Sequence, residues 1–380
     1  MGRFLVLTDV EHVFHDGAFY AYGPYIKEMN LWSKYYDSVF VLAPLSAAGV
    51  SPKPIDIKLE GNHIKFVTIP ALNFSNPIAT VRSFFSAFYI FFIIVLNFFK
   101  AEVIHFRCPS HTAFLGLLAL IFFRNKKAIA KYAGNWDPAS NQPLSYEIHR
   151  KLLNSVFLYP SLKVLVYGEF SHSSKNIIPF FTASYTESQT KSVEKSSLSN
   201  CIKLIYVGAL FKEKRPETII KVTKKLLNEG YQVQAVLCGD GPMKSKLEEL
   251  IVNFELQANI QLLGNVTSEE VIRQFINSHF LIFISQSEGW PKVVAESMFW
   301  GCVPFTSKVS CVEQMVGDAG QRGFLIEGDD SQITEQIKFF TEHQEEFDKI
   351  SKQGIIWSRY YTLERFDAAL KKLNESIANN

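Results

Sequence analysis

Ser287-Glu288-Gly289-Trp290-Pro291-Lys292-Val293-Val294-Ala295-Glu296 is the stretch on which the reading of this chain turns. An apolar run, Phe280 to Ser285, precedes it, and a helical pattern ending near Gly301 follows. The order is therefore strand, loop, helix, with two carboxylates at the loop-to-helix junction. Pro291 suits a first helical turn, where its missing N–H costs nothing. Gly289 permits a tight turn and close approach of backbone to a ligand. The N–H groups that open such a helix face an anion, and a carboxylate accepts the hydrogen bonds of a sugar or ribose diol. In open α/β sheets ligands collect beyond the carboxyl ends of the strands.

The same pattern recurs along the chain. Apolar runs at Phe4–Thr8, Ser38–Leu42, His63–Val67, Val103–Phe106, Ala128–Tyr132 and Val164–Tyr167 alternate with amphipathic segments. So do Lys203–Val207, Gln232–Leu237, Ile260–Leu263, Phe280–Ser285 and Val303–Thr306. That alternation predicts βαβ units and parallel sheets. With 380 residues, two domains are expected: 1–170, then a Ser/Thr-rich linker over 171–200, then 201–361. The apolar spacing of Leu363, Phe366, Leu370 and Leu373 predicts a helix over 362–378 that packs back on the first domain.

Composition narrows the function classes. Net charge is +2, and 47% of residues are hydrophobic, which argues against a nucleic-acid binder or a disordered chain. The five cysteines form no C-x-x-C pair and read as reduced thiols. The apolar run at Arg3–Asp9 is too short for a signal peptide, so a cytoplasmic location is expected. Phe84–Phe99 has scarcely any polar face. It reads as a crossover helix buried on the sheet or, preferred for its lack of a polar face, as a helix that touches lipid at the cytoplasmic face of a membrane, too short for a full span.

Two further loops share the strand-to-helix position. Gly208-Ala209-Leu210-Phe211-Lys212-Glu213-Lys214-Arg215-Pro216 offers Lys214 as a point charge for a diphosphate. Cys238-Gly239-Asp240-Gly241-Pro242 is by itself an ordinary turn signal. Together with the Glu288 loop they form one wall of a binding site.

These loops resemble the C-terminal domain of retaining glycosyltransferases of family 4 (glycosyl transferases group 1) over about Lys203–Glu327. The resemblance rests on Gly208 with Lys214, Gly239-Asp240-Gly241, and Glu288-Gly289-Trp290-Pro291 with Glu296. It implies the GT-B fold: two Rossmann-like doubly wound α/β domains facing a central cleft. It implies that Lys214 holds the donor diphosphate, the contact of the family's Arg being missing here or supplied by Lys212 or Arg215, and that Glu288 contacts the donor sugar. Gly289, Trp290, Pro291 and Lys292 would line the sugar and phosphate, and Glu296 would bond the ribose. A UDP- or GDP-sugar is then the co-substrate, with no other cofactor. The acceptor would be a glycan or lipid-linked glycan, as in cell-surface polysaccharide synthesis, and the anomeric configuration would be retained.

The chain departs from the family in two places. Ala209 stands where the family has Arg, and no His follows the strand Ala128–Tyr132. Acceptor-side candidates are His105, Arg107, Asn135 and Trp136, with Asp137 as a base; a capped turn is the competing account of residues 135–137. Gly17, in Asp9–Ala18, matches a glycine-bearing loop that approaches the donor phosphates. His12 and His15 lack a third metal ligand, so a surface loop is the expectation there. No Asp-x-Asp occurs, so no metal is expected. Other readings of the same residues are a sugar-nucleotide epimerase, a glycan phosphorylase-like enzyme with pyridoxal phosphate, and an inactive sugar- or lipid-binding module.

Overall fold

A computed structural model describes residues 2–138, 140, 142–170, 174–317, 320–327 and 330–378. It divides into two units, Met1–Thr182 with Phe366–Asn380, and Ala183–Arg365.

The first unit opens with β1 (Arg3–Leu7), β2 (Val13–His15), β3 (Ala18–Tyr22), α1 (Gly23–Ser33), β4 (Ser38–Ala43), β5 (Asp56–Lys58) and β6 (Ile64–Thr68). It continues with α2 (Pro77–Lys100), β7 (Val103–Cys108), α3 (His111–Leu120), β8 (Lys127–Tyr132), α4 (Leu144–Leu153), β9 (Leu162–Tyr167) and β10 (Ile177–Phe180). Seven strands form a parallel sheet in the order β10-β9-β8-β7-β1-β4-β6. Alternation along each strand divides its residues between the two faces. Leu5, Leu7, Ile104 and Phe106 join the core under α2 and α3. Phe4 and His105 turn the other way, against Trp32 of α1.

The second unit holds β11 (Ile202–Val207), α5 (Glu217–Asn228), β12 (Val233–Cys238), α6 (Lys244–Asn253), β13 (Ile260–Gly264), α7 (Ser268–Asn277), β14 (Phe280–Phe283) and α8 (Lys292–Phe299). Then come β15 (Val303–Thr306), α9 (Val312–Val316), β16 (Phe324–Leu325), α10 (Ser331–Glu342) and α11 (Gln344–Ser358). Its parallel sheet runs β13-β12-β11-β14-β15-β16. The buried tetrapeptide Phe280-Leu281-Ile282-Phe283 shows why the runs are uniformly apolar: parallel strands are covered on both faces.

The last helix, α12 (Leu363–Ala378), buries Phe366, Leu370, Leu373 and Ile377. Within the first unit Tyr36 donates to Asn374 at 2.6 Å and Tyr35 to the Asp367 carboxylate at 2.9 Å. The expected linker needs correction. Residues 171–173 of it lie outside the described residues, but Ile177–Phe180 pair with Val164–Tyr167 as an edge strand. Pro179 is tolerated there because an edge position spares the missing N–H; flanking Ser and Thr hid the strand. Helix α2 is also longer than expected, 24 residues from Pro77, and by length and composition long and apolar enough to cross a membrane, which corrects the expectation that it is too short for a full span.

Candidate functional site

In the second sheet, β12 and β13 lie on one side of β11, while β14 and β15 lie on the other. The strand order therefore reverses between β11 and β14, and doubly wound sheets bind ligands at that switch point. Lys214 comes from the loop after β11 and Glu288 from the loop after β14. Their side chains meet, with Lys214 Nζ 2.8 Å from Glu288 Oε1. The pair is neither buried nor free in solvent: the side chains are 28% and 14% exposed.

The backbone around the pair is laced together. Leu210 N–H donates to Asp240 O at 3.0 Å, Met243 N–H to Leu210 O at 3.0 Å, and Gln286 N–H to Glu213 O at 2.8 Å. A Cβ on Gly239 would fall 1.9 Å from Gly208 O, and one on Gly241 2.8 Å from Leu210 O. Both glycines thus let two strand-end loops touch through backbone alone. Arg215 takes left-handed geometry (φ 44°, ψ 49°) and turns the chain into Pro216 and α5.

Helix α8 begins at Lys292 with Pro291 at the N-cap, one residue later than expected, and has no side-chain cap. Its first turn therefore presents N–H groups and positive dipole at the switch point. Gly289 is buried, its carbonyl accepting from the Cys311 thiol at 3.3 Å. Trp290 packs parallel to Trp357 (6.3 Å, 18°) and edge-on to Tyr361 (5.6 Å). Its ring belongs to an aromatic cluster, so only its backbone is placed to line a ligand. Glu296 accepts from the Ser184 hydroxyl at 2.5 Å, a partner the sequence did not signal because the two lie 112 positions apart.

The first-unit candidates fare differently. Gly17 (φ 73°) follows Asp16 (φ 47°) at the tip of the two-residue β2–β3 hairpin. Consecutive left-handed residues are what a type I′ turn demands, so Gly17 is the glycine of a hairpin tip. His12 is fully buried, edge-on to Tyr25 and Phe66, which corrects the surface-loop expectation. His105 is also fully buried, against Phe4 and Trp32. Trp136 is 2% exposed and lies edge-on to Tyr132 at 4.9 Å; it is core, not a platform. Asn135 accepts from the Asp137 N–H at 2.9 Å, and Asp137 O accepts from Ser140 and Arg150. The capped turn therefore accounts for residues 135–137.

Arg107 belongs to a cluster that sequence reading missed. Glu28 of α1 meets Lys131 Nζ at 3.0 Å and Arg107 at 3.3 Å and accepts from the Thr182 hydroxyl at 2.5 Å. Glu28 and Lys131 are each 1% exposed. Nothing local marks Glu28 as paired, since Lys27 beside it is charged as well. Among the described residues, no three His, Cys, Asp or Glu side chains are placed to hold a metal.

Comparison with known proteins agrees with this geometry. Residues 188–357 match the family model described as Glycosyl transferases group 1. The matched stretch carries the whole Lys214–Glu288 site. The chain is 24% identical over 159 residues to the phosphatidylinositol N-acetylglucosaminyltransferase gpi3 subunit of Schizosaccharomyces pombe, covering 40% of this chain and 35% of that protein. Protein CapJ of Staphylococcus aureus is 23% identical over 288 residues, 71% of this chain and 70% of that one. The chain thus spans about a third of the length of the first of these relatives. Among solved structures, Anabaena HepE in complex with UDP and glucose superposes with a TM-score of 0.67 at 14% identity, covering 99% of this chain and 100% of that one. This likeness shows the fold: two Rossmann-like α/β units, as in GT-B glycosyltransferases.

Proposed function

We propose that the chain is a glycosyltransferase that moves a sugar from a UDP- or GDP-sugar to a glycan or lipid-linked acceptor, with retention of configuration. The Lys214–Glu288 pair beside the uncapped start of α8 carries this reading. A leaving nucleoside diphosphate develops negative charge. Lys214 and the α8 amides meet that charge in a preorganised way, without proton transfer. Glu288 holds Lys214 in place and offers its second oxygen to a sugar hydroxyl. Glu296 offers its carboxylate to the ribose diol, exchanging Ser184 for the ligand. The lack of Asp-x-Asp supports a reaction whose charge is met by protein groups. The donor carbon passes through an oxocarbenium-like state, and the nucleotide leaves from the face on which the acceptor attacks. The name of the phosphatidylinositol N-acetylglucosaminyltransferase relative supports a glycoconjugate as the product.

A nucleotide panel tests the donor half. UDP or GDP should raise the melting temperature of the wild-type chain, as any ligand selective for the folded state does, and leave Lys214→Ala unshifted. Equal stabilisation of both proteins would remove the diphosphate assignment. Slow release of free sugar from the matching nucleotide-sugar would separate a transferase from a binding module, and conversion of the donor alone into its epimer would identify an epimerase.

A further inference from the structure

Helix α2 is a crossover helix with the wrong outside. Of its 24 residues only Ser83, Ile90, Ile94 and Phe98 are buried, one narrow stripe against the sheet. The rest of its surface presents Phe84, Phe85, Phe88, Phe92 and Phe99, each 59–70% exposed. A surface helix on a water-facing domain carries polar residues there, and an apolar patch of this extent marks an interaction surface.

The patch extends beyond α2. Phe99 lies edge-on to Phe123 at 5.0 Å; beside it Phe122 is 79% exposed. The Arg124 guanidinium stands 5.2 Å from the ring of Phe157, itself 78% exposed. Three separate segments, α2, the α3–β8 turn and the α4–β9 turn, therefore contribute to one aromatic surface.

Charge decides what covers it. Residues 61–136 contain eight Lys/Arg and a single acidic residue, Glu102. Arg82, Lys100 and Arg124 are exposed within or beside the aromatic surface. A second copy of the chain, docking face to face as in a two-fold dimer, would set these cations against their own images. Anionic lipid headgroups instead complement them, at about 1 kcal/mol per basic residue near the surface. Nor is α2 free to cross a bilayer: its stripe is fixed to the sheet, and Arg3 of β1 donates to Asn97 at 2.8 Å.

We propose that the α2 face of the first unit docks in the plane of an anionic lipid bilayer. The Phe side chains enter the boundary between headgroups and acyl chains, as in interfacial amphipathic helices, and Arg82, Lys100 and Arg124 engage the headgroups. This rests on the surface alone and is independent of the donor chemistry.

Flotation of the full chain with vesicles tests it. The wild type should float with phosphatidylcholine–phosphatidylglycerol vesicles and bind phosphatidylcholine vesicles at least roughly tenfold more weakly. Phe85→Ser/Phe88→Ser should abolish flotation, and Arg82→Glu/Arg124→Glu should remove the preference for the anionic lipid. All four side chains are exposed, so unchanged melting temperatures should accompany both results. The proposal is overturned if the wild type stays at the bottom of the gradient, or if both variants float like the wild type. It is also overturned if the wild type is a dimer that the Phe variant converts to a monomer while neither binds vesicles.

Discussion

Each sheet has a strand-order reversal followed by a helix, and the two reversals are finished differently. In the first unit it lies between β1 and β7. There the chain supplies its own anion: Asp9 accepts from the His111 N–H at 2.7 Å and the Thr112 N–H at 3.0 Å, at the start of α3. Ser110 accepts from the Ala113 N–H at 3.1 Å. Burial acts to raise the Asp9 carboxyl, but the hydrogen bonds from His111 and Thr112 outweigh it and hold it below its ordinary value. In the second unit the reversal lies between β11 and β14, and α8 has no side-chain cap. A helix start already holding a carboxylate has little left for a phosphate; one without a side-chain cap is the arrangement that favours an anion. Two sheets of one architecture thus differ in whether a carboxylate of the chain caps the helix after the reversal.

The ion pairs repeat the contrast. Glu28 is desolvated between two cations and a hydroxyl, whereas Lys214 and Glu288 keep contact with solvent. Breaking the buried cluster gives the largest expected effect. Glu28→Ala strands Arg107 and Lys131 with no counter-ion at Glu28's position, at a cost of about 3–5 kcal/mol. Urea denaturation would read this as a lower midpoint, and an unchanged midpoint would mean that water reaches the cluster.

Lys214→Ala should do the opposite. Loss of one preorganised cation at the leaving diphosphate lowers the transfer rate by roughly 10²–10³, while stability moves by no more than about 0.5 kcal/mol. Glu288→Gln should also reduce transfer, since Gln retains the shape but not the charge that positions Lys214. If activity and stability fell together in these variants, the pair would be structural and the contrast with Glu28 would disappear.

Asp9→Ala converts the closed helix start into an open one. It removes a cap and a dipole partner, costing about 1–2 kcal/mol. The sharper readout is anion dependence: sulfate should raise the melting temperature of Asp9→Ala more than that of the wild type. Equal sulfate responses would show that Asp9 does not occupy an anion position.

What the sequence made legible follows the same division. All eleven strands expected from apolar runs are present, because parallel strands buried on both faces leave no ambiguity of period. The Gly208, Gly239 and Glu288 loops converge because each follows a strand directly, and adjacency in a parallel sheet does the rest. Side chains that act through distant partners were not legible. Nothing local distinguishes Glu28 from a solvated helix glutamate, nor Ser184 from the Ser and Thr around it. Trp136 and His105 illustrate the converse: residue types that suit chemistry lie in the core, His105 on a strand and Trp136 in the loop after β8. Gly17 shows a third limit, since Asp-Gly reads equally as a ligand loop and as the tip of a hairpin until its partner strand is known.

The smallest expected effect per residue is a pH dependence to which histidines of both units contribute. Burial lowers His12 to about 4. Burial, with the charges of Arg107 and Lys131, lowers His105 to about 3, and burial lowers His279 of the second unit to about 4. An unfolded histidine titrates near 6.5. Between these values the unfolded chain binds protons that the folded chain does not, so stability falls as pH falls. It is full above about pH 6.5 and declines toward pH 4. From about pH 7 to about pH 6 the loss is on the order of 0.5–1 kcal/mol per histidine. His279 is held differently from His105, accepting the Lys203 N–H at 3.0 Å and donating to Ser196 O at 2.9 Å. His279→Gln therefore removes hydrogen bonds as well as a titration, whereas replacing His105 by Phe removes the titration from an apolar setting. His105→Phe should lessen the fall in melting temperature between pH 7 and pH 5 without removing it, since His12 and His279 remain, and His279→Gln should lower the melting temperature throughout. A wild-type melting temperature that is level from pH 7 to pH 5 would mean that these rings are protonated in the folded chain, and that the interior of the first unit is less closed than its burial indicates.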